Sequence, residues 1–253
     1  MDRLKGRRAI VTGGANGIGR AIAVAFAREG CEVFLTALRD EDAARDTLAE
    51  LRGYGVRAHY MLLDGADPDG VRKLMEAAGR ALGVADVLVN NAATMTRTGF
   101  LDLTPEEYER VMAVNLRFPF FATQAFAARL REEGAPGSVI NISSISAFKA
   151  VSAMAHYQSS KAGLSMLTRS TAYELARYGI RVNTISPGLT ATKANSPQWR
   201  DDPDLWHERS KDIPLGRPGR PADFAGAAVF LASDESAWMT GADLVLDGGD
   251  AAV

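Results

Sequence analysis

Short apolar runs alternate with longer segments whose apolar residues recur at helical spacing along nearly the whole chain. The apolar runs predict strands near residues 8–12, 32–37, 57–63, 85–90, 137–143, 181–186 and 243–247. The segments between them predict helices near 18–29, 40–53, 68–82, 104–115 continuing to about 132, 156–178 and 221–232. Strands that alternate with helices form a parallel sheet covered on both faces. The pattern therefore predicts a doubly wound α/β domain with a seven-stranded, mostly parallel sheet.

No linker, repeat or low-complexity tract divides these elements. We therefore expect residues 1–253 to form a single domain. Residues 189–212 are the one long stretch in which apolar residues do not recur at helix or strand spacing. We therefore predict an irregular loop there. Loops of this length inside a compact domain are usually functional or mobile.

A glycine-rich turn joins the first predicted strand to the first predicted helix. Gly13, Gly17 and Gly19 follow the apolar run of residues 8–12 and precede an apolar helix. Glycines let the backbone approach a pyrophosphate at a helix N-terminus, where free N–H groups attract an anion. This order of elements is the context of a dinucleotide site. Because the spacing is Gly-x-x-x-Gly-x-Gly rather than Gly-x-Gly-x-x-Gly, a turn that is glycine-rich for packing alone is the alternative.

Tyr157 and Lys161 lie four residues apart on one predicted helix, so their side chains share a face. An ammonium group beside a tyrosine stabilises the phenolate, so we expect the pKa of Tyr157 to fall toward neutrality. Such a tyrosine can serve as a general acid or base. Ser144 ends a predicted strand thirteen residues upstream, where its hydroxyl can hold a substrate oxygen.

Six motifs in chain order resemble those of the short-chain dehydrogenase/reductase family. They are Thr12-Gly13-x-x-x-Gly17-x-Gly19, Asn90-Asn91-Ala92-Ala93, Asn115, the Ser144, Tyr157 and Lys161 set, Ser186-Pro187-Gly188 with Thr192, and the C-terminal stretches 214–217, 230–233 and 246–249. The family has glycine where this chain has Ala93, which adds a methyl group near the expected cofactor. The resemblance implies a Rossmann-type fold and an NAD(P)-dependent oxidoreductase that interconverts alcohols and carbonyls.

The resemblance also implies roles for individual residues. Tyr157 would exchange the proton, Ser144 would bind the substrate oxygen, and Lys161 would lower the tyrosine pKa and hold the ribose hydroxyls. Asn115 would position a water that links Lys161 to solvent. The residues expected at the cofactor are Gly13, Asn16, Gly17, Ile18, Gly19, Leu38, Arg39, Asp64, Gly65, Asn91, Ala92, Ala93, Tyr157, Lys161, Pro187, Gly188, Thr190 and Thr192.

The second predicted strand bears on the choice of cofactor. NAD enzymes usually carry an acid at its end to bind the ribose 2′-hydroxyl, but Ala37 stands there, followed by Leu38 and Arg39. The missing acid and the nearby arginine favour NADP. Against this, Asn16 stands where many NADP-using relatives have a basic residue, and Asp40 is close enough to replace the missing acid. NADP is therefore the expected cofactor, with NAD as the alternative.

The substrate is less well defined by the sequence. By resemblance, residues 189–212 form a substrate lid, although tryptophans can equally anchor a lid to the body. The pocket candidates in this lid are Trp199, Trp206, His207 and Arg209. The residues expected at the substrate are Thr94, Met95, Ser144, His156, Trp199 and Trp206. His156 before the tyrosine resembles glucose dehydrogenases of the family, which favours a small free alcohol or ketone.

Two other functions stay open from the sequence. The motifs resemble 3-oxoacyl-carrier-protein reductases equally well, and a carrier protein would need a basic patch at the mouth of the site. Such a patch could come from Arg97, Lys149, Lys193 and Arg200. The second alternative, from another class, is a sensor or scaffold that binds NADP(H) without turnover.

Charge and composition limit the kinds of partner and the location that we expect for this protein. A net charge of −2 gives no indication of nucleic acid, and no apolar run is long enough to cross a membrane. The single cysteine, Cys31, and the charged N-terminal segment favour a cytoplasmic location, and no metal site is expected. The helices near 104–132 and 156–178 carry more apolar residues than one sheet face needs, and relatives pair these helices. We therefore expect a homotetramer.

Overall fold

The computed structural model describes residues 2–252, apart from the side chains of residues 194, 197 and 198. The strands are β1 (Arg8–Val11), β2 (Glu32–Ala37), β3 (Ala58–Leu62), β4 (Val87–Asn90), β5 (Gly137–Ile142), β6 (Ile180–Pro187) and β7 (Asp243–Leu246). The helices are α1 (Gly17–Arg28), α2 (Glu41–Gly53), α3 (Gly70–Leu82), α4 (Pro105–Met112), α5 (Phe118–Glu133), α6 (Ala155–Leu175), α7 (Pro203–Ser210) and α8 (Ala225–Ala232). The predicted doubly wound domain is confirmed.

All seven strands are parallel, in the order β3-β2-β1-β4-β5-β6-β7. The direction of winding reverses between β1 and β4, and in open α/β sheets ligands bind outside the carboxyl ends of the strands at such a point. The glycine turn follows β1, and Asn91 follows β4. The reversal therefore places the two predicted cofactor motifs side by side.

Helices cover both faces of the sheet, and the alternation of side chains along β2 shows how. Val33 and Leu35 pack into the cluster that contains Phe26 of α1, whereas Phe34 packs into the opposite cluster with Leu130 of α5. Strands buried on both faces read as continuous apolar runs rather than alternating ones. This burial explains why the central strands could be recognised from the sequence.

A network of polar side chains lies inside the core near the carboxyl ends of the strands. Asn90 of β4 donates to the side-chain oxygen of Asn141 on β5 at 2.8 Å, and Asn141 donates to Thr168 of α6 at 2.8 Å. Thr184 of β6 donates to the same threonine hydroxyl at 2.8 Å. These buried hydrogen bonds fix α6 relative to three strands, and α6 is the helix that carries Tyr157 and Lys161.

Two predicted segments differ in detail. The predicted helix near 104–132 is continuous, but Ala113–Arg117 forms a wider π-helical turn between α4 and α5. Residues 189–212, predicted as irregular, contain the 3₁₀ turn Lys193–Asn195, the π-helical turn Pro197–Asp201 and α7. Asp202 caps α7 by accepting from the Leu205 amide, and Pro203 occupies its first position, so local capping outweighs the weak apolar period. Thr104 is the N-cap of α4, where its hydroxyl accepts from the Glu107 amide.

None of the helices in residues 2–252 combines the length and apolar character that a membrane span requires. Cys31, which lies between Gly30 and the start of β2, is fully buried.

The close approach of the glycine turn to β4 can be tested at Gly19. A Cβ there would lie 2.4 Å from the Asn91 side-chain nitrogen and 2.4 Å from the Gly13 carbonyl oxygen. Because neither neighbour can withdraw freely, Gly19→Ala should lower the free energy of unfolding by about 1–3 kcal/mol in urea titrations. The control is Gly79→Ala in exposed α3, where a Cβ meets nothing within 4 Å and should stabilise by about 0.5–1 kcal/mol. Equal effects of the two substitutions would contradict the close approach.

Candidate active site

The glycine turn has a left-handed backbone at two positions and free amides at its end. Gly13 and Gly17 have φ values of +63° and +55°, which favour glycine. Asn16, the N-cap of α1, makes no side-chain cap, and the first turn of α1 contains no acidic residue. The first amides of α1, from Gly17, Ile18 and Gly19, are therefore not capped by a side chain and suit an anion at the helix N-terminus.

Thr12, between β1 and the turn, joins that turn to the segment after β4. Its hydroxyl accepts from the amides of Asn91 at 2.9 Å and Ala92 at 3.1 Å, and donates to the Val89 carbonyl at 3.2 Å. The Asn91 side chain donates back to the Thr12 and Gly13 carbonyls at 2.9 and 3.1 Å. These bonds bring the two halves of the predicted cofactor site into one rigid unit.

Asp40, which follows β2 and precedes α2, contacts the glycine turn through Asn16. Its carboxylate caps α2 by accepting from the Ala43 amide at 3.2 Å, and it also accepts from Asn16 at 3.2 Å and pairs with Lys193. Hydrogen bonds from Lys193, Ala43 and Asn16 hold the pKa of Asp40 below its usual range. Asp40 is therefore held by three partners rather than free to serve the ribose.

Arg39 is exposed and its side chain makes no hydrogen bond or ion pair within residues 2–252, so its guanidinium can reach a ligand. Leu38 beside it is also exposed. Asp64, by contrast, lies two residues beyond β3 and pairs with Arg110 at 2.8 Å, which holds the pKa of that carboxyl low. Asp64 also caps its own turn through the Ala66 amide at 2.9 Å, and Gly65 follows it against Val114. The carboxylate of Asp64 thus has a structural role in addition to any ligand contact.

Ser144 and Tyr157 meet where β5 and α6 converge. Ser144 is the N-cap of a 3₁₀ turn, Ile145–Ala147, and its hydroxyl accepts from the Ser146 amide at 3.1 Å. The Ser144 side chain also lies near enough to the Tyr157 phenol to lower the phenol pKa through hydrogen bonding. A substrate oxygen that reaches both hydroxyls would therefore be held and protonated from the same side.

The pKa of Tyr157 differs from the prediction. Burial raises it, and the hydrogen bond with Ser144 only partly opposes that rise. The Lys161 ammonium lies 5.7 Å from the centre of the tyrosine ring and donates to the Ile142 carbonyl at 2.7 Å. Lys161 is itself buried, and loss of hydration lowers its pKa to about 8. Without a ligand, loss of hydration therefore shifts the pKa values of Tyr157 and Lys161 more strongly than the attraction between the two groups does.

Asn115 lies in the π-helical turn, which is a common place for functional residues. Its side chain accepts from the Thr94 amide at 2.8 Å and donates to the Thr94 carbonyl at 2.9 Å and to the Ser160 hydroxyl at 3.1 Å. Because these bonds use most of the amide's hydrogen-bonding capacity, the side chain anchors the segment after β4 to α6. Any water contact by Asn115 would fall to its backbone.

The segment after β4, residues 93–99, is held against the body of the protein. The Thr96 hydroxyl bonds to Nε2 of His156 at 2.9 Å, and the Thr98 hydroxyl donates to Glu107 at 2.8 Å. The Thr98 amide donates to the Ala153 carbonyl at 3.2 Å. His156 is buried, so its bonded nitrogen serves this segment rather than the open cleft. These contacts join residues far apart in sequence, and no spacing rule could have revealed them.

Residues 189–212 are anchored beside the Ser186-Pro187-Gly188 motif. The Trp199 indole donates to the Thr192 carbonyl at 2.9 Å, which matches the anchoring alternative for this tryptophan. Asn195 accepts from the Thr192 amide at 2.8 Å and donates to the Thr190 carbonyl at 2.8 Å. Gly188 packs against residue 247, where a Cβ would come within 2.6 Å of the aspartate Cβ. Trp206 is half-buried and His207 is exposed on α7.

Comparison with known proteins gives consistent results. The family described as enoyl-(acyl carrier protein) reductase matches residues 13–250. An L-rhamnose 1-dehydrogenase (NAD(P)(+)) from Sphingomonas sp. is 38% identical, over 98% of this chain and 98% of the relative.

Solved structures also match over nearly the full length. A short-chain type dehydrogenase/reductase from Mycobacterium marinum superposes with a TM-score of 0.90 at 37% identity, over 98% of this chain and 96% of that one. A proposed 2-deoxy-D-gluconate 3-dehydrogenase from Agrobacterium tumefaciens with bound NADP superposes with a TM-score of 0.90 at 39% identity, over 99% and 98% of the two chains. The chain belongs to the short-chain dehydrogenase/reductase family, whose members are NAD(P)-dependent oxidoreductases.

The role of Asn115 as an anchor can be measured. Asn115→Ala removes one buried and two partly buried hydrogen bonds and leaves the Thr94 amide and carbonyl without their side-chain partner. Leaving buried groups unpaired costs about 1–3 kcal/mol, so the free energy of unfolding should fall by at least that amount. Gln158→Ala is the control, since that exposed side chain makes one bond to Lys149. A loss no larger than in the control would contradict the anchoring role.

Proposed function

We propose that this member of the short-chain dehydrogenase/reductase family transfers a hydride between NADP(H) and a small free secondary alcohol or ketone. The observation that carries the proposal is the convergence of three side chains: Ser144 lies near enough to the Tyr157 phenol to lower its pKa, and the buried Lys161 ammonium lies 5.7 Å from the tyrosine ring. General acid–base chemistry needs a donor within hydrogen-bond reach of the reacting oxygen. These three side chains provide one at the convergence of β5 and α6.

In reduction, the substrate carbonyl oxygen accepts hydrogen bonds from Ser144 and Tyr157, and Tyr157 gives up its proton as the alkoxide forms. In oxidation, the phenolate of Tyr157 removes the proton of the alcohol. Lys161 favours the phenolate whenever its ammonium is charged. When bound, NADP(H) supplies or accepts the hydride. The raised pKa of Tyr157 suits the acid role near neutral pH, because the phenol then keeps the proton it must donate.

The uncapped amides of α1 and the Thr12–Asn91 unit support binding of a dinucleotide at the switch point. Arg39 supports NADP, because its guanidinium is exposed beside the turn and has no ion-pair partner within residues 2–252. Asp40 would oppose a 2′-phosphate if it were free, but Lys193 pairs with it and offsets its charge. NAD stays the alternative cofactor.

The charges around the site favour a small free substrate over a carrier protein. Of the basic residues that could form a patch, Lys149 pairs with Asp250, Lys193 pairs with Asp40, and Arg200 stacks on Trp199. Arg97 and Arg200 form no ion pair within the described part of the chain, so two of the four charges are offset by acids. The sugar-dehydrogenase relatives agree with this preference. The sensor alternative is disfavoured, because Asn115, Ser144, Tyr157 and Lys161 are all present.

We further propose a cytoplasmic homotetramer. The outer faces of α5 and α6 expose apolar side chains that a monomer would leave in water, namely Phe120, Phe121, Met166 and Tyr173. Tyr173 is 89% exposed. Several large exposed apolar side chains on two neighbouring helices favour a protein interface there. Closed two-fold symmetry pairs the same face on both subunits.

Tyr157→Phe removes only the phenol oxygen and should leave cofactor binding intact. Loss of a general acid or base typically lowers turnover by about 10²–10⁴-fold. The measurement is NADPH oxidation at 340 nm with a panel of sugars, polyols, cyclic ketones and oxoacyl thioesters, alongside a binding titration of NADPH. Turnover near that of the wild type would exclude the proposed mechanism.

Arg39→Ala should weaken NADP binding and leave NAD binding nearly unchanged. A charge-assisted hydrogen bond contributes about 1.5–3 kcal/mol, which is roughly a 10- to 150-fold change in Kd. Arg80→Ala, on the exposed end of α3, is the control. An equal loss for both cofactors, or a wild-type preference for NAD, would refute the assignment.

Light scattering at micromolar concentration should give the mass of four chains. Phe121→Glu on the outer face of α5 should lower that mass, because an unpaired charge in a buried apolar contact is unfavourable. A monomer mass for the wild type would contradict the proposed assembly.

A further inference from the structure

The first residues of the expected substrate lid contact the glycine turn of the cofactor site. A Cβ on Gly17 would lie 3.7 Å from the Thr192 side chain, so these two residues are near neighbours. Lys193, the next residue, pairs with the Asp40 carboxylate at 2.5 Å, and Asn16 donates to the same carboxylate oxygen at 3.2 Å. The segment expected to cover the substrate is therefore joined to the nucleotide end of the site.

The backbone that carries Lys193 is held in place by its neighbours. The Thr192 amide donates to the Asn195 side chain at 2.8 Å, and Asn195 donates to the Thr190 carbonyl at 2.8 Å. The Trp199 indole donates to the Thr192 carbonyl at 2.9 Å. Because these bonds fix the chain on both sides of Lys193, its ammonium reaches Asp40 only while this part of the lid keeps its position.

Asp40 lies at the end of the sheet where the two cofactors are distinguished. It follows β2 by three residues, and an acid after the second strand binds the ribose 2′-hydroxyl of NAD. Its Oδ1 atom accepts from the Ala43 amide, so this oxygen is used in capping α2. Its Oδ2 atom is shared by Asn16 and Lys193. The oxygen bonded to the glycine turn is therefore the one whose charge Lys193 offsets.

The acids that follow Asp40 in the sequence are not bonded to the turn or the lid. Glu41 pairs with Arg45 at 2.9 Å and accepts from the Tyr60 hydroxyl at 2.7 Å. Asp42 is exposed and its side chain forms no hydrogen bond or ion pair within residues 2–252, so solvent and salt screen its charge. Of these three acids, Asp40 is the one bonded to both the glycine turn and the lid.

The charge of Asp40 affects the two cofactors in opposite directions. A free carboxylate accepts a hydrogen bond from a ribose 2′-hydroxyl, but it repels a 2′-phosphate, which carries a charge of about −1.5 to −2 at neutral pH. An ammonium group in contact with the carboxylate offsets its charge and uses its free oxygen. The Lys193 side chain is 66% exposed, so the ion pair contributes little to the stability of the fold. Its main effect is therefore on a charged ligand beside it.

We propose that Lys193 is a cofactor-specificity residue, which favours NADP over NAD by pairing with Asp40. While the pair is formed, the acid neither serves the 2′-hydroxyl of NAD nor repels the 2′-phosphate of NADP, and Arg39 is free to bind that phosphate. Because Lys193 belongs to the lid, the position of the lid and the choice of cofactor are coupled. The proposal rests on the cofactor assignment of the proposed function.

The test is an equilibrium titration with NADPH and with NADH in the absence of substrate, followed by the fluorescence of the reduced nicotinamide. Lys193→Met keeps the bulk of the side chain without its charge. It should weaken binding of NADPH and leave that of NADH unchanged or tighter, so that the ratio of the two Kd values moves toward NADH by about 3- to 30-fold. This shift should shrink as ionic strength rises. Lys211→Met is the matched control, because Lys211 directly follows α7 in the same lid and pairs with Glu208.

A second background shows whether Lys193 acts through Asp40. Asp40→Asn removes the charge but keeps a side chain that caps helices well. In this background Lys193→Met should change the Kd ratio by less than about twofold, because no carboxylate is left to offset. An equal effect in both backgrounds would mean that Lys193 contacts the phosphate directly, and it would overturn the proposal.

Three further results would overturn it. They are a wild-type preference for NADH, an unchanged Kd ratio in Lys193→Met whether or not both affinities fall, and the same shift in Lys211→Met. The titration needs no turnover, so it separates this proposal from the proposed reaction. If no compound is turned over but the Kd ratio shifts as predicted, the proposed reaction fails and the role of Lys193 stands. If the wild type binds neither nucleotide, both fail.

Discussion

The burial of one ammonium group constrains the rest of this site. Lys161 is 2% exposed, and its Nζ donates to a single backbone carbonyl, that of Ile142 at the end of β5. Burying a charge with so few partners is costly, and the lowered pKa of about 8 is the measure of that cost. Because the folded pKa lies below the unfolded value, burial destabilises the protein below about pH 8, and this destabilisation is relieved as pH rises toward 10. The polar network of Asn90, Asn141 and Thr168 fixes the helix that carries this lysine.

The sequence was sufficient for the fold because each strand and helix had a local signature. β4 and β5 are buried along their whole length and contain short apolar runs, and α4 begins with a threonine cap followed by proline. The alternation of strand and helix predicted the parallel sheet, whereas the order of its strands came from the structure. The helix α7 within residues 189–212 was harder to predict, because it is mostly exposed. Its start is defined by Asp202 and Pro203 rather than by an apolar stripe.

The residues of the site were recognised through motifs, but their connections were not. The spacing of Tyr157 and Lys161 predicted proximity correctly, yet it could not show that loss of hydration would raise the tyrosine pKa. The bond between Thr96 and His156 joins positions sixty residues apart. Through this bond His156, which was expected to bind the substrate, supports residues 93–99. Long-range contacts of this kind depend on packing, which no spacing encodes.

The central claim is that Tyr157 and Lys161 act as one proton-transferring unit. The most direct measurement is the pH dependence of kcat/KM for alcohol oxidation in the wild type and in Lys161→Met, which keeps the bulk of the side chain without its charge. An ammonium near a phenol lowers its pKa by about 1–3 units, so the variant should need a correspondingly higher pH to reach its maximum. The wild-type rate should rise with pH as the coupled pair loses its proton. Superimposable pH profiles for the two proteins would contradict the claim.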